Sequence, residues 1–149
     1  MKKILLVDSD IGIINIVKNM AILNNHVIYT ALHGVEALEV IENHDIDCIV
    51  IDMEVDHVTG LDIIDLLRRN VRRPWIIATC DHSNSLTAYP LLELAILIGA
   101  DEVLAKPYCP EQLLDKLPAS CFEKQKMDVG TPIDSEQSNR NLIQHSVAH

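Results

Sequence analysis

Short apolar runs alternate along the chain with segments in which apolar residues recur three and four positions apart. Runs at 4–7, 27–30 and 48–51 predict buried strands, because each is brief, aliphatic and closed by polar residues. The segments near 13–21 and 35–41 have the spacing of amphipathic helices. A strand followed by a helix is therefore the repeated unit of the first half.

The same alternation continues in the second half, where glycine and proline mark the predicted boundaries. The polar stretch from Cys80 to Tyr89 is expected to be a loop, with Pro90 at the first position of the next helix and Gly99 just beyond its end. The predicted elements are a helix at 61–67, strands at 75–78 and 103–105, a helix at 91–98, and a helix that Pro110 opens and Pro118 ends.

Five strands that alternate with five helices predict an α/β fold with a doubly wound parallel sheet covered on both faces. The expected strand order is 2-1-3-4-5, which is the flavodoxin-like arrangement. Residues 1–118 would form this single domain. Residues 119–149 are mostly polar with few apolar positions, so we expect a flexible C-terminal tail there.

Charge and hydropathy exclude several partners. The chain has 12 Lys and Arg against 22 Asp and Glu, and a net charge of -10 repels nucleic-acid backbones and anionic lipid surfaces. Neither a secretory signal nor an apolar run near the roughly 20 residues of a membrane span is apparent. We therefore expect a cytoplasmic protein that binds neither nucleic acid nor membrane.

Reactive side chains follow four of the predicted strands. These are Asp8-Ser9-Asp10 after the first, Asp52 after the third, Thr79 after the fourth and Lys106 after the fifth. Ligands of such sheets bind beyond the carboxyl ends of the strands, where these loops converge. Crowded carboxylates favour a hard cation such as Mg²⁺ between them. With the metal and Lys106 neutralising charge, Asp52 could attack a phosphoryl group while Thr79 supplies a hydroxyl donor.

The motifs ILLVDSD, IVIDMEVDHVTG, WIIATC and GADEVLAKPY resemble those of bacterial response-regulator receivers, including the chemotaxis receiver. The resemblance implies that Asp52 is the phosphoacceptor, Thr79 the switch hydroxyl and Lys106 the phosphate-contacting lysine. It also implies a Mg²⁺ site of Asp8, Asp52 and the backbone carbonyl of Glu54, and a cis peptide between Lys106 and Pro107. Such a domain catalyses only its own phosphoryl transfer and dephosphorylation, and is not otherwise an enzyme.

Three positions depart from the pattern of the family. Ser9 stands where receivers carry a second metal-binding acid, and Asp10 either substitutes as a metal ligand or caps the first helix. Val103 replaces an aromatic residue that follows the movement of the switch hydroxyl, and Asp56 replaces a proline. The alternative function is therefore a pseudo-receiver, a protein-binding module that works without phosphorylation.

The resemblance also implies partners. A histidine kinase or phosphotransfer protein would supply the phosphoryl group, and with no output domain apparent, a stand-alone receiver would signal through protein contacts. The chain could instead be a phosphate sink within a relay. Helix four is apolar on every side, so we expect its face beside strand five to bind a downstream protein or a second copy, unless the tail covers it.

Overall fold

A computed structural model describes residues 1–83 and 85–121. The strands are β1 Lys3–Val7, β2 Val27–Ala31, β3 Cys48–Asp52, β4 Trp75–Asp81 and β5 Glu102–Lys106. The helices are α1 Ile11–Leu23, α2 Gly34–Asn43, α3 Gly60–Arg68, α4 Ser85–Ile98 and α5 Pro110–Lys116, followed by a 3₁₀ turn at Ala119–Cys121. The predicted alternation of strands and helices is confirmed.

The five strands form one parallel sheet in the order β2-β1-β3-β4-β5, as predicted. All five residues of the central strand β3 are buried, which explains its uninterrupted apolar sequence before Asp52. The fold is a flavodoxin-like doubly wound α/β domain. All strands run in the same direction, so their carboxyl ends lie along one edge of the sheet.

Two apolar cores cover the two faces of the sheet. Alternate residues of β1 divide between them, because successive side chains of a strand point to opposite faces. Leu5 and Val7 join the core beneath α2, α3 and α4, whereas Ile4 and Leu6 join the core beneath α1 and α5. This packing on both faces fixes the sheet, and with it the relative positions of the strand ends.

The prediction of a loop from Cys80 to Tyr89 is wrong over most of that stretch. Strand β4 continues to Asp81 and α4 begins at Ser85, so Pro90 lies inside the helix instead of at its first position. Ala88 is fully buried in the core, two residues before the predicted first position of the helix. Tertiary packing of this first turn outweighs the hydrogen bond that Pro90 cannot donate.

The packed domain extends to Cys121, which is 8% exposed and belongs to the core beneath α1 and α5. The predicted tail lies outside the described residues from position 122 onward. Within the described part of the chain, none of the helices combines the length and apolarity needed to cross a bilayer.

Candidate functional site

The register of the parallel strands brings the predicted site residues to one crevice. Asp52 is the Cα partner of Thr79, and Asp81 that of Lys106, so β3, β4 and β5 end side by side. Strand β1 pairs with β3 up to Val7, which places Asp8 next to this row. The convergence predicted from the sequence is therefore what the structure contains.

Lys106 joins the two buried carboxylates. Its Nζ lies 2.7 Å from Asp8 Oδ2 and 2.8 Å from Asp52 Oδ2. Asp8 is 1% exposed and Asp52 is 6% exposed, whereas the Lys106 side chain is 12% exposed. Two carboxylates that share one ammonium group leave the site with a net negative charge, which favours a further cation.

The other oxygens of the carboxylates accept hydrogen bonds from the backbone of the following turns. Asp8 Oδ1 accepts from the Asp10 amide at 2.8 Å, and Asp52 Oδ1 accepts from the Glu54 amide at 3.0 Å. Each carboxylate is thus held from two sides, by its own turn and by Lys106. This arrangement fixes the direction in which each faces the crevice.

Burial and charge shift the protonation equilibria of this network in opposite ways. Burial raises the pKa of Asp8, although the hydrogen bonds from Lys106 and from the Asp10 amide oppose the shift. Burial alone would lower the pKa of Lys106, but its hydrogen bonds to Asp52 and Asp8 outweigh burial and raise it. Lys106 is therefore a permanent cation at neutral pH.

Thr79 supplies a buried hydroxyl beside Asp52. The residue is 1% exposed, and Oγ1 has no hydrogen-bond partner within the described residues. Its backbone carbonyl accepts from the Met53 amide at 2.8 Å, which ties the end of β4 to the turn after Asp52. A buried hydroxyl without a partner can donate a hydrogen bond to a ligand that enters the crevice, or accept one from it.

The side chain of Asp10, unlike its backbone amide, does not join this network in the described contacts. Its Oδ1 accepts from the Gly12 amide at 2.7 Å and from the Ile13 amide at 3.4 Å, so the exposed side chain caps α1. Ser9 is exposed as well. The role of Asp10 as a metal ligand stays a prediction, since its second oxygen makes no described contact.

The donor set fits Mg²⁺, with fewer charges than the family pattern supplies. Asp8 and Asp52 offer carboxylate oxygens that already approach one cationic nitrogen, and all-oxygen donors suit a hard ion. No group of three or more His, Cys, Asp or Glu side chains is placed for a metal among the described residues. The Glu54 carbonyl and water would have to complete the coordination.

The loop that follows Asp52 is held against the loop after β2. The Gly34 amide donates to the Asp56 carbonyl at 3.2 Å, and a Cβ on Gly34 would lie only 2.1 Å from the Val58 carbonyl oxygen. Only glycine permits this close approach. The contact holds the backbone of Asp56, one of the departures from the family pattern, against Gly34.

The peptide between Lys106 and Pro107 is cis, as the resemblance implied. Next in the chain is Tyr108, which closes the motif GADEVLAKPY and packs against the core beneath α1 and α5. Its hydroxyl is buried without a hydrogen-bond partner among the described residues. The sequence gives no indication of a buried, unpaired hydroxyl at this position, because an aromatic residue after a strand is ordinarily a core residue.

An apolar groove of about 560 Å³ lies between α4 and β5. Leu97 is 81% exposed along this groove, and Ile96 is 44% exposed. The groove is lined by Tyr89, Leu92, Glu93, Ile96, Leu97, Val103 and Ala105. The sequence predicted unburied aliphatic side chains on this helix, and the structure confirms them.

The fold and the site together define a doubly wound α/β domain with an acidic, lysine-bridged crevice at its strand ends. A sequence profile of the response regulator receiver domain matches residues 4–118. The chain therefore belongs to the receiver family of two-component systems.

Relatives and solved structures agree with this assignment. The response regulator SaeR of Staphylococcus aureus strain USA300 is 30% identical over 115 residues, which are 76% of this chain and 48% of SaeR. The chain thus spans about half the length of the curated relatives it matches. The chemotaxis response regulator CheY4 of Vibrio cholerae is 26% identical with a TM-score of 0.66, over 77% of this chain and 94% of CheY4.

A receiver domain protein from Clostridium thermocellum has the same fold. Its TM-score is 0.70 at 22% identity, over 82% of this chain and 94% of that one. At this identity the likeness concerns the fold alone.

Proposed function

We propose that this chain is a stand-alone receiver that accepts a phosphoryl group on Asp52 from a histidine kinase or phosphotransfer protein. The observation that carries the proposal is the contact of the buried Asp52 carboxylate with Lys106 at 2.8 Å, in a crevice that also contains Asp8 and Thr79. A carboxylate held at a strand end and open to a cation is suited to attack phosphorus.

In the proposed reaction an oxygen of Asp52 forms a bond to phosphorus while the bond from phosphorus to the donor atom breaks. The donor atom is a histidine nitrogen in a kinase, or the acyl phosphate oxygen in acetyl phosphate, and it leaves with the bonding electron pair. The product is an aspartyl phosphate. A carboxylate attacks through an oxygen lone pair, so the step needs no separate base.

Lys106 is the residue that stabilises the developing charge. Its ammonium group already lies between Asp52 and Asp8, so it needs only a small movement to reach an oxygen of the phosphoryl group. Thr79, adjacent to Asp52 on β4, would donate its unpaired hydroxyl to another oxygen. When bound, Mg²⁺ would be held by Asp8, Asp52 and the Glu54 carbonyl, and it would neutralise phosphoryl oxygens.

Incubation with Mg²⁺ and acetyl phosphate tests the proposal. Intact mass spectrometry should show the addition of one phosphoryl group to the wild type and none to Asp52→Asn, which keeps the shape of the side chain without its nucleophile. Asp81→Asn is the matched control, since Asp81 ends the neighbouring strand and is exposed. Retention of the modification in Asp52→Asn would reject the assignment of Asp52.

The rival function is a pseudo-receiver that binds a protein partner without phosphate. Its support is that Asp10 caps α1 while Ser9 supplies no carboxylate, so two acids remain at the crevice. Val103, in place of the aromatic residue, lines the groove beside α4. If the wild type gains no phosphoryl mass and binds no beryllofluoride, the pseudo-receiver becomes the better function.

The surface through which the receiver would signal is the groove between α4 and β5. Glu93 is the one charged residue in its otherwise apolar lining. Burial of the exposed aliphatic side chains against a protein partner would be favourable in free energy. A second copy of this chain is the occupant we propose, because an apolar patch of this kind suits a two-fold interface. A downstream protein would bind the same surface if the chain is monomeric.

A cytoplasmic location accompanies this function, because kinases and receivers meet there. The absence of a membrane-spanning helix among the described residues is compatible with it. SaeR is about twice as long as the matched segment, so the stand-alone state is itself part of the proposal.

A further inference from the structure

A second cavity lies at the end of the sheet where the strands begin, opposite the acidic crevice. Cys48 of β3 is the Cα partner of Trp75 of β4, so the connections that lead into these strands, residues 44–47 and 69–74, run side by side. They enclose a space of about 250 Å³, which we call the amino-end cavity. Pockets for drug-sized ligands measure roughly 300 to 1,000 Å³, so this cavity suits a smaller molecule.

The floor of the amino-end cavity is apolar. Ile49 of β3 and Leu67 of α3 are buried, at 0% and 1% exposure, and belong to the core beneath α2, α3 and α4. Ile41 and Ile46 are partly buried and also line the cavity. An aliphatic group that enters the cavity would exchange water for contact with these side chains, which is favourable in free energy.

The two walls of the amino-end cavity carry opposite charges. Asp45 and Asp47 line it from the connection between α2 and β3. Arg72 and Arg73 line it from the connection between α3 and β4. None of the ion pairs in the described part of the chain joins one wall to the other. The acidic and the basic side chains therefore do not neutralise one another across the cavity.

One side chain on each wall is without a partner. Arg73 is already engaged, because it pairs with Asp101, and one oxygen of Asp47 accepts a hydrogen bond from a backbone amide at 2.8 Å. Arg72 and Asp45 have no hydrogen-bond or ion-pair partner within the residues that the structure describes. Each wall thus offers one charged group that a ligand can pair.

We propose that the amino-end cavity binds a small aliphatic α-amino acid of about the size of leucine. Its carboxylate pairs with Arg72, its ammonium group pairs with Asp45, and its side chain packs on Ile46 and Leu67. A simple anion would face the two aspartates and a simple cation the two arginines, so a molecule that carries both charges is the better match for the walls. The inference does not depend on phosphorylation, because this cavity lies at the other end of the sheet.

NMR titration of the full chain with L-leucine tests the proposal. Leucine should cause saturable shifts of the amides that border the cavity, such as those of Ile46 and Asn70, but not of the Lys106 amide. Two analogues probe the charges, since isocaproate lacks the ammonium group and isoamylamine lacks the carboxylate. Measured at the same cavity amides, each should bind roughly tenfold more weakly than leucine, the effect of one lost charged hydrogen bond.

Two variants probe the walls. Arg72→Gln and Asp45→Asn should each weaken leucine binding roughly tenfold, because each removes one charged partner of the ligand. Neither should lower the melting temperature, since both side chains are exposed. Arg69→Gln and Glu42→Gln are the matched controls, because each removes a charge of the same sign nearby without lining the cavity. Both controls should bind leucine as the wild type does.

Each outcome decides the inference. The absence of saturable shifts at the cavity amides with millimolar leucine would overturn it. Equal affinity for leucine, isocaproate and isoamylamine would show that the apolar floor alone binds, which contradicts the assigned role of the walls. Unchanged leucine binding in either Arg72→Gln or Asp45→Asn would reject the proposed pairing, and an equal loss in the control variants would show that net charge decides instead of the cavity.

Discussion

One ammonium nitrogen determines the electrostatics of the crevice at the scale of single residues. Lys106 contacts Asp8 and Asp52 together, and both acids are almost completely buried. Neither would be stable as an anion at this depth without a cation or several hydrogen bonds. The residue proposed to stabilise the incoming phosphoryl group therefore also stabilises the resting fold.

Lys106→Met should lower the free energy of unfolding by about 2 kcal/mol at pH 8, because Asp8 is then a buried anion without a cationic partner. Burial already raises the pKa of Asp8, and loss of Lys106 should raise it further. A raised folded-state pKa is a stabilising contribution present at low pH and lost as the pH rises through that value. The loss in free energy of unfolding, which we call the deficit, should therefore be smaller at pH 5.

Urea unfolding in EDTA at both pH values measures this deficit. Lys116→Met is the control, since Lys116 forms a more exposed ion pair with Glu102 at 2.9 Å and its removal should have little effect. A deficit for Lys106→Met that is the same at pH 5 and pH 8 would show that Asp8 is not the group responsible.

Ser9→Asp should strengthen Mg²⁺ binding by about tenfold, or about 1.4 kcal/mol, because it restores a carboxylate beside Asp8. Isothermal titration calorimetry measures the affinity. Ser120→Asp adds the same charge on the exposed 3₁₀ turn and should leave binding unchanged. If Ser9→Asp has no effect while Asp10→Ala abolishes binding, Asp10 is the ligand after all.

Helix α4 shows at the scale of an element how tertiary packing overrides a local signal. Pro90 is the sixth residue of the helix and cannot donate a backbone hydrogen bond to the preceding turn. The helix nevertheless extends before it, because Ala88, Leu92 and Ala95 are buried against the sheet. The exposed side of the same helix is left aliphatic.

Pro90→Ala should raise the free energy of unfolding by roughly 1 to 2 kcal/mol, since it restores a helical hydrogen bond and removes the ring from an exposed position. Thermal unfolding and amide exchange across 86–94 would report it. Pro110→Ala is the matched control, because Pro110 opens α5 where the amide has no helical partner, and no gain is expected. A lower melting temperature for Pro90→Ala would show that packing requires the proline.

At the scale of the whole molecule, the acidic crevice and the apolar groove lie in different places. The crevice lies at the carboxyl ends of β1, β3, β4 and β5, whereas the apolar groove lies on the flank formed by α4 and β5. Strand β5 belongs to both, since it carries Lys106 at its end and Val103 and Ala105 in the groove. A structural change at the crevice can therefore reach the groove through β5.

If the groove is an interface between two copies, Leu97→Asp should convert a dimer at high concentration to a monomer, because it places a charge in the apolar contact. Multi-angle light scattering over a concentration series measures this. Leu86→Asp is the matched control, since Leu86 is 86% exposed on the same helix but does not line the groove. A wild type that is monomeric at every concentration would contradict self-association and leave a foreign partner.

The sequence by itself determined the class of fold and the members of the crevice. Brief apolar runs such as 48–51, closed by polar residues, are typical of strands buried between helices, and parallel strands end at one edge of the sheet. Asp8, Asp52, Thr79 and Lys106 were therefore predictable as neighbours, and their contacts in the structure agree.

Only the tertiary structure decided which groups pair and which remain unpaired. Asp10 and Asp8 differ little in the sequence, yet one caps α1 and the other is held by Lys106. The start of α4 and the buried hydroxyl of Tyr108 depend likewise on residues distant in the chain. Periodicity and spacing report local preference, whereas hydrogen-bond pairing and burial depend on contacts across the sheet, which no local pattern encodes.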